Sequence, residues 1–250
     1  LPVKVKERLL ENYAKKNAAA DISNDGIDHR AIWLFSEPKL AATINRLWNV
    51  NSRPEFRLTL LRVVREGELK QCVAIARAAA ISKKEHYYNR IVATEILSIC
   101  NDKQGLTHIA KVVVRDRKIL GARLSASLAV AAFPEHLSVP SLLKVIEANP
   151  DKRDVADGFS YQLFDLYQKC RNKGERKQLI EGIVRLTNLP PHVSKYQRIS
   201  ANFQSLAKGF EDIARAELEA LGSKKVPQYL VDFLMVIERC HRTPDLEKQK

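Results

Sequence analysis

Six basic residues recur at an almost constant interval, and their charge is the most evident source of chemistry in the sequence. They form two columns, each with one residue from three successive segments: Arg57, Arg90 and Arg123 in the first column, and Arg77, Lys111 and Lys144 in the second. Every step is 33 residues except the 34 between Arg77 and Lys111. Cations repeated at the pitch of a structural repeat can track the phosphates of a nucleic acid or the carboxylates of an acidic peptide.

The same side chains also suit a structural role. Arginine and lysine often donate to free carbonyls at helix ends or pair with an acidic residue of a neighbouring unit. Carboxylates available for such pairing are Glu66, Glu68, Glu95 and Asp116. Sequence alone favours the structural role for both columns, and more so for the first.

Two denser groups of cations fall where turns are expected. The first group is Arg115, Arg117 and Lys118; the second is Lys169, Arg171 and Lys173, followed by Arg176 and Lys177. A solvated basic surface is the simpler interpretation of each group, and contact with an acidic ligand is the other. Aromatic residues suited to base stacking are sparse. Tyr87 and Tyr88 are the best candidates, although helical spacing from Val92 favours a core position for Tyr88.

No motif for catalysis, cofactor binding or metal binding is present. The six histidines lack the HExxH spacing of a zinc site, and neither GxSxG nor a glycine-rich phosphate loop occurs. Asp25, Asp28 and His29 are close together in a loop-forming segment, where such residues mostly serve turns and caps. The sequence therefore predicts a non-enzymatic protein without catalytic residues, cofactor, metal or small-molecule substrate.

Composition narrows the class of protein. With 45% apolar residues, only nine glycines and ten prolines, the chain suits a helical protein better than a β-sandwich. The four cysteines form no CxxC pair, which predicts reduced thiols and a cytoplasmic location. No segment approaches the ~18 apolar residues of a membrane span, so no membrane partner is expected. The net charge of +13 admits nucleic acid or acidic protein surfaces as partners.

The segments that carry the two columns have the apolar pattern of paired helices. Apolar residues stand one, three, six and seven positions after each arginine of the first column, as in a helix covered on more than one side. Two helices per unit of about 33 residues predict an all-α fold, an α-solenoid whose units cover one another's apolar faces. The predicted core includes Leu60, Val92, Ile96, Leu124 and Leu128.

Three regions follow from this pattern. Residues 1–52 are predicted to form an N-terminal helical cap anchored by Trp33 and Trp48, and residues 53–151 three repeats. Residues 152–250 are predicted to be helical near 155–171, 174–188, 195–221 and 226–240, and either continue the array or cap it. Lys177 falls 33 residues after Lys144, but its apolar neighbours do not match, so that spacing is treated as coincidental.

Local signals refine the repeats. Gly67 is expected to end a helix in the left-handed conformation, and Gly105 to lie in the turn between two helices. The run 112–114 favours a strand by propensity, but the repeat register predicts a helix there.

The alternation of helices over residues 53–151 resembles HEAT-type repeats, in which antiparallel helix pairs stack into a curved superhelix. A basic residue in the second helix belongs to that motif, and the resemblance implies that Arg77, Lys111 and Lys144 face the concave side. More faintly, the run RPEFRLTLLRVVREGELKQCVAIARAAA resembles helical repeats of large bacterial NTPases of the STAND type. This resemblance implies a segment of a larger regulatory or sensor protein whose nucleotide-binding domain lies outside the chain.

The leading functional hypothesis is an interaction scaffold that binds a protein partner on a curved surface. The alternative is a nucleic-acid-binding HEAT-like protein with a basic concave face, for which non-specific binding is expected. A third hypothesis is self-association through an apolar end of the array. The sequence leaves open which partner binds, which way the columns face and which oligomer forms.

Overall fold

The computed structural model describes residues 1–19, 32–149, 158–187 and 206–242, and these residues contain twelve α-helices and no strand. The helices are α1 (Val3–Ala19), α2 (Ala41–Val50), α3 (Pro54–Glu66), α4 (Val73–Ile81), α5 (Tyr87–Ile99), α6 (Lys103–Arg115), α7 (Ala122–Ala132), α8 (Val139–Ala148), α9 (Phe159–Lys169), α10 (Lys173–Thr187), α11 (Ala207–Leu221) and α12 (Gln228–Arg242). The predicted all-α class is confirmed for this part of the chain, and so is the helix over 112–114.

The chain divides into two compact units, Leu1–Ile109 and Ala110–Lys250. The predicted boundaries after residues 52 and 151 stay predictions. Four helices were expected beyond residue 152, and α9 to α12 occupy those places. Residues 195–205 of the third expected helix lie outside the described residues.

In the first unit, α5 packs against both α3 and α4. Pro54 is the first residue of α3, a position where a missing N–H breaks no helical hydrogen bond. In α3 and α5 the apolar residues three, six and seven positions after the arginine are buried, as predicted, whereas Leu58 and Ile91, one position after it, are only half-buried. All five predicted core residues of the two units are buried.

Of the two tryptophans predicted to anchor the core, only one is buried. Trp48 is only 6% exposed and belongs to the core. Trp33 is 67% exposed, so its predicted core position is wrong. It lies in a short 3-10 turn, Trp33–Phe35, whose geometry turns Phe35 inward instead; Ile32, just before the turn, is also buried.

Both glycine predictions are wrong in detail. Gly67 has φ −91°, and the left-handed residue after α3 is Glu68, with φ +47°. A Cβ on Gly67 would lie 2.8 Å from Cδ2 of Leu69 and 3.0 Å from the backbone carbon of Ser36, so the close approach of these two residues favours glycine there. Gly105 is the third residue of α6, and the turn before it uses Asn101 with φ +51°.

In the second unit, each helix packs against the helix two places further along the chain. The contacts join α7 to α9 and α9 to α11 in one series, and α8 to α10 and α10 to α12 in a second series. Sequential pairs also touch, α7 with α8 and α11 with α12. The unit therefore has two rows of helices joined by short local contacts.

Across the described ranges, no helix is both long and apolar enough to cross a membrane.

Candidate interaction surface

The first column has structural partners. Arg57 donates from Nε to the Asn51 carbonyl at 2.8 Å and from Nη2 to the Trp48 carbonyl at 3.3 Å, both at the end of α2. Its guanidinium carbon lies 4.5 Å from the centre of the Trp48 ring, and Nη1 pairs with Glu85. These carbonyls have no helical partner of their own, so Arg57 caps the C-terminus of α2.

Arg90 repeats this arrangement one unit later. It is only 7% exposed, and its Nε donates to the Ala80 carbonyl at 3.1 Å, at the end of α4. Arg57 and Arg90 are both the fourth residue of their helices, and the guanidinium of each binds a carbonyl at the end of the preceding helix. Arg123 is half-buried and also has an interaction partner. The column serves folding at Arg57 and Arg90.

The second column differs between its members. Arg77 is bound by Asp102 through two hydrogen bonds of 2.6 Å, from Nε and Nη2. The Arg77 hydrogen bond holds the pKa of Asp102 below its usual value, which burial opposes. Asp102 also accepts the Gly105 backbone N–H at 3.1 Å, so it caps α6 while it holds Arg77. Arg77 is therefore engaged, although its side chain is 41% exposed.

Lys111 and Lys144 are exposed and have no ion pair or hydrogen bond with any described residue. They lie on α6 and α8 in the second unit, whereas Arg77 belongs to the first. Lys177 is also exposed, on α10, the helix that packs against α8. Exposed lysines therefore follow one another at 33-residue intervals at positions 111, 144 and 177, although the apolar residues around Lys177 do not match those of the repeats.

Four of the six cations in the two basic turns have partners. Arg115 pairs with Asp116 and Arg171 with Glu175, whereas Arg117 donates to the Val114 carbonyl and Lys169 to the Val130 carbonyl. Lys169 Nζ lies 2.7 Å from the Val130 carbonyl oxygen, and burial lowers the pKa of this amine. Lys118 and Lys173 are exposed and have no partner among the residues described.

Three of the four acids expected to pair do so, but with arginines outside the two columns. Arg65, which the spacing did not single out, donates to Glu95 at 2.7 Å and to Glu66 at 2.9 Å. Glu68 instead occupies the left-handed turn after α3.

A junction that the sequence did not indicate ties three helices of the second unit together. Tyr167 of α9 donates its hydroxyl to Oε1 of Glu217 at 2.8 Å, and Tyr229 of α12 donates to Oε2 at 3.0 Å. Burial and the bond to Glu217 raise the pKa of Tyr229 to about 12, and the same causes raise the pKa of Tyr167 further. These residues are 50 and 12 positions from Glu217, so no spacing rule connects them.

Beside this junction, α10 and α12 enclose an open groove of about 440 Å³. Its lining residues are Lys177, Glu181, Val184 and Arg185 of α10, and Gln228, Tyr229 and Asp232 of α12. Lys177 Nζ lies 5.7 Å from the centre of the Tyr229 ring.

The aromatic candidates form a cluster with His86 in the first unit. Tyr87 is exposed and Tyr88 half-buried, so Tyr88 is not a full core residue. The ring centres of Tyr87 and Tyr88 are 4.2 Å apart, and His86 lies 4.7 and 5.7 Å from them. His86 Nδ1 also accepts the Tyr88 backbone N–H at 3.4 Å, which caps α5.

Nothing in the described ranges gathers three or more metal-ligating side chains. Asp25, Asp28 and His29 lie outside the described residues. Cys72 and Cys170 are buried, and burial raises the pKa of each thiol to about 11, so neither is poised as a nucleophile. Cys100 is half-buried, with its pKa raised mainly by burial.

Comparison of the chain with protein-family models, curated proteins and solved structures gives no match. The likeness to HEAT-type and STAND-type repeats accordingly stays a prediction from the sequence.

Proposed function

We propose that this protein is a non-enzymatic helical-repeat scaffold that binds a protein partner through exposed lysines of its second unit. The observation that carries the proposal is the packing of alternate helices, α7–α9–α11 and α8–α10–α12. Contacts that skip one helix are what a stack of helix pairs requires, because equivalent helices of adjacent pairs lie side by side. We therefore infer an α-solenoid that continues through α9, α10, α11 and α12.

Stacked pairs expose a broad surface on each row, and the row that starts with α8 carries exposed lysines without partners in the described residues. Lys144 and Lys173 have no partner in the described residues, and Lys111 on α6 shares that property. A carboxylate that meets such a lysine breaks no existing ion pair. Each exposed pair is worth only about 0.2–1 kcal/mol, so several must act together. We infer an acidic partner surface, attracted by the +13 net charge of the chain.

The test uses the full chain with charge reversals that leave the core intact. Lys111→Glu with Lys144→Glu removes two unpaired cations. The matched control is Lys224→Glu with Lys225→Glu, at exposed positions of the turn between α11 and α12. A partner is crosslinked to the wild-type chain in its native cell, and its recovery is compared at equal expression. We expect recovery to fall at least 10-fold for the first pair alone. Equal recovery by both variants would overturn the lysine surface.

Nucleic acid is the second candidate, because one specific cluster favours it. The exposed Lys83 and Lys84 lie close in sequence to the clustered rings of His86, Tyr87 and Tyr88. Aromatic faces beside lysines suit unpaired bases and their phosphates. Fluorescence anisotropy with single-stranded and duplex oligonucleotides at two salt concentrations tests this. We expect a Kd of tens of micromolar or weaker, in the range of about 10⁻⁴–10⁻⁶ M for non-specific binding. Tight or sequence-selective binding would replace the scaffold proposal.

A further inference from the structure

The groove between α10 and α12 has an ordered pattern of charge. Lys177, Glu181 and Arg185 are four residues apart on α10 and so lie in one line, at steps of about 6 Å. The line reads cation, acid, cation. Asp232 of α12 lines the same groove and adds a second acid, while Val184 and the Tyr229 ring supply apolar surface.

These charges are only loosely engaged with each other. Lys177 and Glu181 are 3.7 Å apart, the outer range of an ion pair, and both are well exposed. Asp232 accepts one hydrogen bond, from Gln228 at 2.8 Å, and Arg185 has no partner in the described chain. Exposed pairs of this kind contribute little, so a ligand exchanges them at small cost.

The Tyr229 ring, in contrast, is held in place. Its hydroxyl donates to Glu217 at 3.0 Å, and Glu217 is itself held by Tyr167 at 2.8 Å. The ring already lies within 5.7 Å of a cation, Lys177 Nζ. A fixed aromatic face beside carboxylates is a preformed place for a basic side chain, because the ring and the acids both attract it.

We propose that this groove binds an extended peptide segment of the partner whose side chains follow the order acid-x-base-x-acid; the proposal rests on the proposed function. Alternate side chains of an extended chain are about 6.6–6.8 Å apart, close to the spacing along α10. The flanking acids meet Lys177 and Arg185, and the central base meets Glu181 and Asp232. The two cations are about 12 Å apart along the helix, which a single amino acid cannot span.

The probes are fluorescein-labelled peptides with the cores Asp-Ala-Lys-Ala-Asp, Lys-Ala-Asp-Ala-Lys and Asp-Ala-Asp-Ala-Asp, titrated by anisotropy against the full chain. We expect the first peptide to bind at least 10-fold more tightly than the second and measurably more tightly than the third. If the all-acidic peptide binds as tightly as the first, affinity depends on the net charge of the peptide alone and the proposal is overturned.

A pattern inversion gives the sharper comparison. The triple variant Lys177→Glu, Glu181→Lys, Arg185→Glu changes three solvent-accessible side chains and should reverse the preference to the second peptide. The single variant Glu181→Lys, checked by thermal melting, should instead favour the all-acidic peptide if the triple variant does not fold. An unchanged order of affinities in a folded variant contradicts the inference.

The two proposals fail separately. If Lys111→Glu with Lys144→Glu loses partner recovery and the wild-type chain shows no preference among the peptides, the groove proposal is refuted and the scaffold proposal is supported. If the wild-type chain prefers Asp-Ala-Lys-Ala-Asp but the Lys111→Glu with Lys144→Glu variant recovers the partner normally, the lysine surface is refuted and the groove proposal is supported.

Discussion

Gly182 offers a direct test of the packing that underlies the proposed solenoid. It lies in the middle of α10, buried where this helix packs against α8. A Cβ added there would lie 2.7 Å from Cδ2 and 2.9 Å from Cγ of Leu143, and closer still to Cδ1. Non-bonded carbons prefer about 3.5–4.0 Å. Gly182→Ala therefore forces Leu143 to move or the two helices to separate.

Two opposing effects set the sign of the result. Alanine is favoured over glycine inside a helix by about 1 kcal/mol. Overpacking costs about 1–3 kcal/mol, and here the whole branched end of Leu143 is obstructed, which places the cost in the upper part of that range. We expect Gly182→Ala to lower the free energy of unfolding by about 1–2 kcal/mol.

Urea denaturation followed by circular dichroism measures this change. The matched control is Gly174→Ala, at an exposed position in the first turn of the same helix, which should change stability by less than about 0.5 kcal/mol. Leu143→Ala removes the obstruction, so the double variant should lose at least about 1 kcal/mol less than the sum of the single losses. A neutral or stabilising Gly182→Ala, or strict additivity, would refute the close approach of α8 and α10.

Three further predictions concern other parts of the fold. Arg57→Ala should cost about 2–4 kcal/mol, because it leaves the Glu85 side chain, only 7% exposed, without its cation; a loss under about 0.5 kcal/mol in a urea melt would contradict the cap. Leu124→Ala should cost about 2–5 kcal/mol in the same assay, and no change would show that its face is not enclosed. The pKa of Tyr229 is raised to about 12 in the folded chain, whereas an ordinary tyrosine ionises at pH ~10. Between these two pH values the Tyr229 hydroxyl loses its proton in the unfolded chain but keeps it in the folded chain, so the free energy of unfolding falls as the pH rises. Tyr229→Phe should flatten that part of a series of melts at increasing pH, and an unchanged slope would exclude the contribution.

Much of the fold follows from local patterns. The positions of Leu60, Ile96 and Leu124 in the core could be predicted because helical periodicity depends on neighbours within a few residues. The reason for Gly67 could not be predicted in full, since part of the crowding around it comes from the backbone of Ser36, which is distant in sequence. The prediction for Trp33 was wrong because a hydrophobic residue in a short turn is not part of a helical period that would show which side faces the core.

The candidate surface was less accessible from the sequence. The spacing grouped Arg77, Lys111 and Lys144 together but could not distinguish the two lysines from Arg77. The difference lies in the carboxylate of Asp102, which caps α6 and is distant from Arg77 in sequence. The Glu217 junction joins three helices, so only the folded chain shows it.

Recurrence itself separates folding from binding in this chain. Arg57 and Arg90 recur because two helix ends need the same cap, so their period reports the fold. The acid that α10 contributes to the groove does not recur, because one 33-residue period before Glu181 the sequence has Ala148. No requirement of stacking explains this acid, and the order of charge depends on it. Glu181→Ala, which makes α10 resemble α8 at this position, should change stability by less than about 0.5 kcal/mol, since the side chain is exposed. It should also abolish the preference for Asp-Ala-Lys-Ala-Asp over the all-acidic peptide. Retained preference in this stable variant would show that Asp232 alone selects the base.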